Sequence, residues 1–182
     1  MTPSRIDRLE SGTSTGVGGG QEVRARRATL DDVAALVRLR GLMLADMGME
    51  TGGADAPWRE ASAQWFTERL RRPDTFAAFL VDDPELGTVS SAVGTCDAHA
   101  PSPANPSGLH GHVSNVSTDP RRRRRGHARV CLDALLAWFR EEAHVTVINL
   151  NATGDGAALY ESYGFVAPPH PALQLRTVPA PL

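Results

Sequence analysis

The chain has 182 residues, 41% of them apolar and 22% charged, with a net charge of −2. That length supports one globular core without a disulfide or metal staple, and the composition excludes a disordered or fibrous chain. The charge balance gives no bulk reason to expect nucleic acid or a membrane as partner, and runs such as Ala134 to Phe139 fall far short of the roughly 18 residues of a membrane span.

Residues 1–21 carry Gly12, Gly16, Gly18, Gly19 and Gly20 among Ser and Thr, a composition that reads as a flexible tail. The N-terminus lacks a charged-then-apolar leader layout, so a cytoplasmic protein is expected, with residues 22–182 as a single domain. Val23 to Arg27 alternates weakly, as a first strand. Thr29 then offers an N-cap, with Asp31 and Asp32 in the first turn of a helix running to about Met47. Gly52 and Gly53 break the pattern. A second helix follows over Arg59 to Arg71, stopped by Pro73.

Phe76 to Val81 and Val89 to Ala98 read as strands, and Ala100 to Gly108 as a loop. His112 to Thr118 is a further strand, ending at Asp119-Pro120. Apolar residues at Ala128, Cys131, Leu132, Leu135 and Phe139 predict a helix over Gly126 to Ala143. Val145 to Leu150 is a β-branched strand, and Gly156 to Tyr163 a short helix ending at Gly164. Phe165, Val166 and Leu173 to Val178 are expected to close the sheet. The fold class is therefore α/β, a largely antiparallel central sheet flanked by helices, in the order β-α-α-β-β-β-α-β-α-β. Cys96 and Cys131 sit among apolar residues and read as buried free thiols rather than a bridge. All 19 basic residues are arginine, so any lysine modified by this protein belongs to another molecule.

Chemistry concentrates at Val116-Ser-Thr-Asp-Pro-Arg-Arg-Arg-Arg-Arg-Gly-His-Ala. A strand ends, an arginine-dense loop follows, and a helix opens at Gly126. The first N–H groups of a helix lack internal partners and attract anions, so this is a phosphate cradle without a Walker lysine. Taken as isolated residues, Arg121 to Arg125 is equally a solvated charge run or a nucleic-acid patch. The lack of an aromatic platform nearby argues against nucleic acid.

Arg123-x-x-Gly126-x-Ala128 resembles the Gln/Arg-x-x-Gly-x-Gly/Ala motif of the GNAT superfamily of acetyl-CoA-dependent N-acetyltransferases. Leu159-Tyr160-Glu161-Ser162-Tyr163-Gly164-Phe165 is similar to that family's Leu-Tyr-Glu-x-x-Gly-Phe segment, and Arg24 to Asp32 to its opening. The resemblance spans roughly Val23 to Val166. It implies acetyl transfer from acetyl-CoA, as co-substrate and without a metal, to a primary amine of a small molecule or peptide. Attack is direct, with no covalent enzyme intermediate. By the same resemblance, the backbone of Val116, Ser117 and Thr118 pairs with the pantetheine arm, and Asn151 reaches it. Arg123, Arg124, Arg125, Gly126, His127 and Ala128 take the pyrophosphate. The Val116 N–H serves the oxyanion, and Tyr160 is the general acid. A homodimer is a family-level expectation.

Two positions depart from the family pattern. Ser114 stands about where many members carry a glutamate base, which leaves His112 as the nearest titratable candidate. Glu50 and Asp46 are alternatives, as is a base acting through water. Thr153 replaces a common asparagine, a variant that resembles unspecialised bacterial members. Met47, Glu50 and Trp58 are candidate acceptor contacts, although methionines in such a region also fill cores. A second function class remains open: an acyl-CoA-binding sensor or scaffold with little turnover.

Overall fold

The computed structural model describes residues 23–170 and 172–175; the glycine-rich segment expected as a tail lies outside them. A two-residue strand β1 (Arg26–Arg27) leads to a 3-10 turn (Leu30–Asp32) and helix α1 (Val33–Asp46). Thr29 caps the turn as its sequence predicts. Its hydroxyl accepts from the Asp31 N–H, and the Asp32 carboxylate accepts from the Thr29 N–H in return. Helix α2 (Pro57–Leu70) starts two residues before the sequence reading, with Pro57 in the first turn where no N–H is needed.

Strands β2 (Phe76–Asp83), β3 (Gly87–Ala98) and β4 (Leu109–Thr118) form an antiparallel meander. Helix α3 (His127–Glu141), strand β5 (Val147–Leu150) and helix α4 (Gly154–Glu161) follow. The sheet order is β1-β2-β3-β4-β5, antiparallel except where β5 joins β4 in parallel after the α3 crossover.

Two apolar layers sandwich this sheet. On one face α3 buries Cys131, Leu132, Leu135, Trp138 and Phe139 against Ala77, Val81 and Ala92. On the other, Leu36 and Val37 of α1 and Phe66 of α2 cover Phe76, Ala78, Leu80 and Val93. Each large side chain so buried contributes about 1.5–3 kcal/mol. Gly94 and Gly111 make room for the Phe139 ring: a Cβ at Gly111 would lie 2.6 Å from it, and one at Gly94 2.7 Å. Both thiols are buried and unbridged.

The element order agrees with the sequence reading through α4. The closing strand does not form among the described residues. Val166, Leu173 and Leu175 are 86%, 95% and 86% exposed, and Pro168 and Pro169 between them have no N–H to give a ladder. The outer edge of β5 therefore has no strand partner among the described residues. No helix among them is long and apolar enough to cross a membrane.

Candidate functional site

The site forms where two strands part. β4 pairs with β5 only from His110 to Val113, opposite Val147 to Leu150. Beyond that β5 has ended, and Ser114 to Thr118 present an open edge along a cleft of about 990 Å³. The same stretch carries a β-bulge. Ser117 pairs with Ser91 and Ser114 with Val93, so Asn115 and Val116 together oppose Ala92. Asn115 takes φ 47, a left-handed conformation that asparagine tolerates better than most residues. Three side chains hold the bulge: Ser91 donates to the Asn115 carbonyl, Ser90 donates to the Ser117 carbonyl, and Arg40 Nη1 donates to Asn115 Oδ1 at 2.6 Å.

The arginine run divides by partner. Arg121 forks onto Asp119, Arg122 onto Asp83 and Glu85, and Arg123 pairs with Asp46 while donating to the Thr118 carbonyl. The Arg122 guanidinium holds the Asp83 carboxyl down at about 2, and Arg121 holds Asp119 well below the usual carboxylate range. Arg124 and Arg125 have no ion-pair partner among the described residues, and Arg124 lines the cleft. These pairs give the loop a structural frame and leave only part of its charge for a ligand.

Helix α3 then opens without a side-chain cap. From Gly126 to Arg129 no backbone N–H meets an acceptor among the described residues; the first bond of the helix is Val130 N–H to the Gly126 carbonyl. Gly126 has φ 81, and a Cβ there would meet nothing within 4 Å, so the open ground above the helix start depends on this glycine. Two further polar atoms on the cleft wall, Ser117 Oγ and His127 Nδ1, are buried with no partner among the described residues. Burial, then the nearby Arg125 charge, lowers the His127 pKa and favours a neutral ring. A row of unpartnered donors at a helix start suits phosphate groups.

Across the cleft, α4 supplies Tyr160. Its ring stands edge-on to Phe165 with centroids 6.0 Å apart, and its hydroxyl has no partner among the described residues. Burial raises the phenol's pKa, so it remains protonated at neutral pH. Asn151 lies on the same wall, past the end of β5. Helix α1 contributes Met43 and Asp46, with Met47 just past its end, and Asp46 is the one carboxylate among the described lining residues.

The cleft thus gathers Val116, Ser117, Thr118, Arg123, Arg124, Gly126, His127, Ala128, Asn151, Tyr160 and Met47 from the sequence candidates. Four others do not line it. His112 lies between Thr95 and Asn149, where β4 is still paired on both sides. Trp58 donates its indole N–H to the Thr51 carbonyl and stacks with Arg59 at 4.6 Å. Glu50 is exposed past the end of α1, and Arg125 is exposed on the loop. Asn115, Arg122 and Thr153 also line the cleft. Arg122 belongs to the arginine run and Thr153 to the departure from the family pattern, whereas Asn115 belongs to neither; its signal is that of a left-handed-tolerant residue inside a strand.

A model of the acetyltransferase (GNAT) family matches residues 21–165. Among solved structures, a predicted acetyltransferase with acetyl-CoA from Clostridium acetobutylicum superposes with a TM-score of 0.74 at 24% identity, over 85% of this chain and 96% of that one. A GCN5-related N-acetyltransferase from Ralstonia eutropha gives 0.71 at 20% identity, over 84% and 98%. Glucosamine-6-phosphate N-acetyltransferase from Arabidopsis thaliana gives 0.65 at 14% identity, over 88% and 100%. At these identities the likeness shows the fold. No curated protein sequence matches the chain.

Proposed function

This chain belongs to the acetyltransferase (GNAT) family, and from that premise we propose that it moves an acetyl group from acetyl-CoA to a primary amine of a small molecule or peptide by direct attack. The observation that carries the reading is one cleft holding both the donor-rich start of α3 and, opposite, the unpartnered hydroxyl of Tyr160. Acetyl-CoA supplies the activated thioester. The N–H groups of Gly126, His127 and Ala128, with Arg124 beside them, hold its pyrophosphate; Arg123 adds charge. The open edge of Val116, Ser117 and Thr118 pairs with the pantetheine amides, and Asn151 bonds that arm from the other wall. The Val116 N–H donates to the carbonyl oxygen as it gains charge, and the Tyr160 hydroxyl gives its proton to the departing thiolate.

An alkylammonium, with a pKa of about 10.4, must lose a proton before it attacks. We assign that proton to Asp46, directly or through water, since His112 lies off the cleft. Asp46 is held by Arg123, and this pairing is what favours a second reading, an acyl-CoA sensor with little turnover.

The experiment supplies acetyl-CoA and a panel of primary amines, and follows thiol release and acetylated product by mass. Turnover should appear with at least one amine. Tyr160→Phe should lower kcat by about 10²–10⁴-fold, the usual worth of a general acid, with acetyl-CoA affinity nearly unchanged. Equal losses of rate and affinity would contradict the acid role. Binding without thiol release across the panel would favour the sensor.

A further inference from the structure

We propose that Arg40 receives a carboxylate of the acceptor, so that the amines acetylated here are amino-acid-like. The inference rests on the acetyl-transfer reading and names its substrate class. Arg40 lies on α1 one turn before Met43 and two before Met47, at the i, i+3, i+7 spacing of a single helix stripe, and both methionines line the cleft. Its Nη1 bonds Asn115 Oδ1, and Asn115 lines the cleft beside Val116, the residue assigned to the oxyanion. Arg40 is not itself among the residues lining the cleft; through Asn115 its guanidinium abuts the cleft wall beside Val116.

What marks this arginine is its missing counter-charge. Arg38 and Arg123, which also reach from or toward α1, hold Asp119 and Asp46. Arg40 has no carboxylate within ion-pair distance among the described residues, and its one partner there is a neutral amide oxygen. Burial lowers its pKa, with no charge of either sign among the causes. A half-buried cation without a partner is costly, and an anion arriving with the substrate offsets that cost. Its remaining N–H groups are free to take one. None of the Arg40 nitrogens is among the buried unpartnered atoms, so those donors keep access to solvent. With Nη1 occupied by Asn115, Nε and Nη2 present the two-donor edge that matches the two oxygens of a carboxylate. A lone guanidinium suits that monoanion better than a phosphate dianion.

The competing account is that Arg40 only pins the bulge. Substrate pairs separate the two. For wild type and Arg40→Gln, kcat and KM are measured with α-amino acids, their α-amides and the corresponding decarboxylated amines, alongside the acetyl-CoA Kd and Tm. Wild type should prefer the acid by about 10- to 100-fold in kcat/KM, the scale of charge-assisted hydrogen bonds, mainly through KM. In Arg40→Gln that ratio should collapse. Arg40→Lys, which keeps the charge but not the fork, should retain part of it, and this variant carries the test if the glutamine protein does not fold. Equal use of acid and amide by wild type overturns the assignment and leaves acetyl transfer standing. So does a variant that slows every acceptor alike through kcat. A protein that binds acetyl-CoA yet acetylates no amine overturns the transfer reading, and this inference with it.

Discussion

Replacing Gly126 with alanine separates the phosphate cradle from the fold that carries it. The residue has φ 81, and a Cβ built there meets no heavy atom within 4 Å, so the free protein suffers no clash. The stability cost is the left-handed backbone alone, about 1–2 kcal/mol, or roughly 2–8 °C in Tm for a chain of this size. The added methyl takes the space over the uncapped start of α3, where the pyrophosphate is assigned. Acetyl-CoA affinity should therefore fall by about 10- to 100-fold, the worth of one or two lost charge-assisted bonds. Gly87→Ala is the matched control: φ is 68, nothing lies within 4 Å, and the residue opens β3 opposite Asp83, outside the cleft lining. Thermal melts and calorimetric titration of both variants read the two effects. Wild-type affinity in Gly126→Ala, or an equal loss in Gly87→Ala, would refute the cradle assignment.

Gly111→Ala should cost about 1–3 kcal/mol through overpacking, because its Cβ would lie 2.6 Å from the buried Phe139 ring. Denaturant melts should show Phe139→Leu recovering part of that loss in the double variant, a non-additive pair; additive losses would place the strain elsewhere. Acid stability follows from the carboxyls held low. Asp83, at about 2, and Asp32, Asp82 and Asp119 bind protons less readily when folded than when unfolded. Their contribution is thus complete above about pH 4 and drains as pH falls toward 2, when the unfolded chain takes up protons first. Arg122→Ala should flatten that acid limb in a pH series of melts by freeing Asp83; an unchanged limb would remove the Asp83–Arg122 pair from the account.

Much of this architecture is written in local chemistry. The Thr29 cap, the Asp119-Pro120 strand end, the α3 stripe around Leu132 and Leu135, and Gly126 before α3 all follow from spacing. The motif residues from Arg123 to Ala128 and Tyr160 do meet in one cleft. What was not legible depends on distant pairing. The parting of β4 from β5 after Val113 is set by where β5 ends, and it decides that Ser114 faces the cleft while His112 does not. The bulge arises from a register shift against β3, which a single strand's alternation cannot reveal. The arginine run looked uniform, yet carboxylates on β2, α1 and the loop itself occupy its first three members. The apolar residues that suggest a final strand, Val166, Leu173 and Leu175, stand exposed, with Pro168 and Pro169 between them.

The central claim is that this cleft holds acetyl-CoA by the open start of α3. Calorimetric titration of the full chain with acetyl-CoA tests it most directly. The account predicts saturable one-to-one binding with a micromolar Kd, and no heat at millimolar ligand would contradict it.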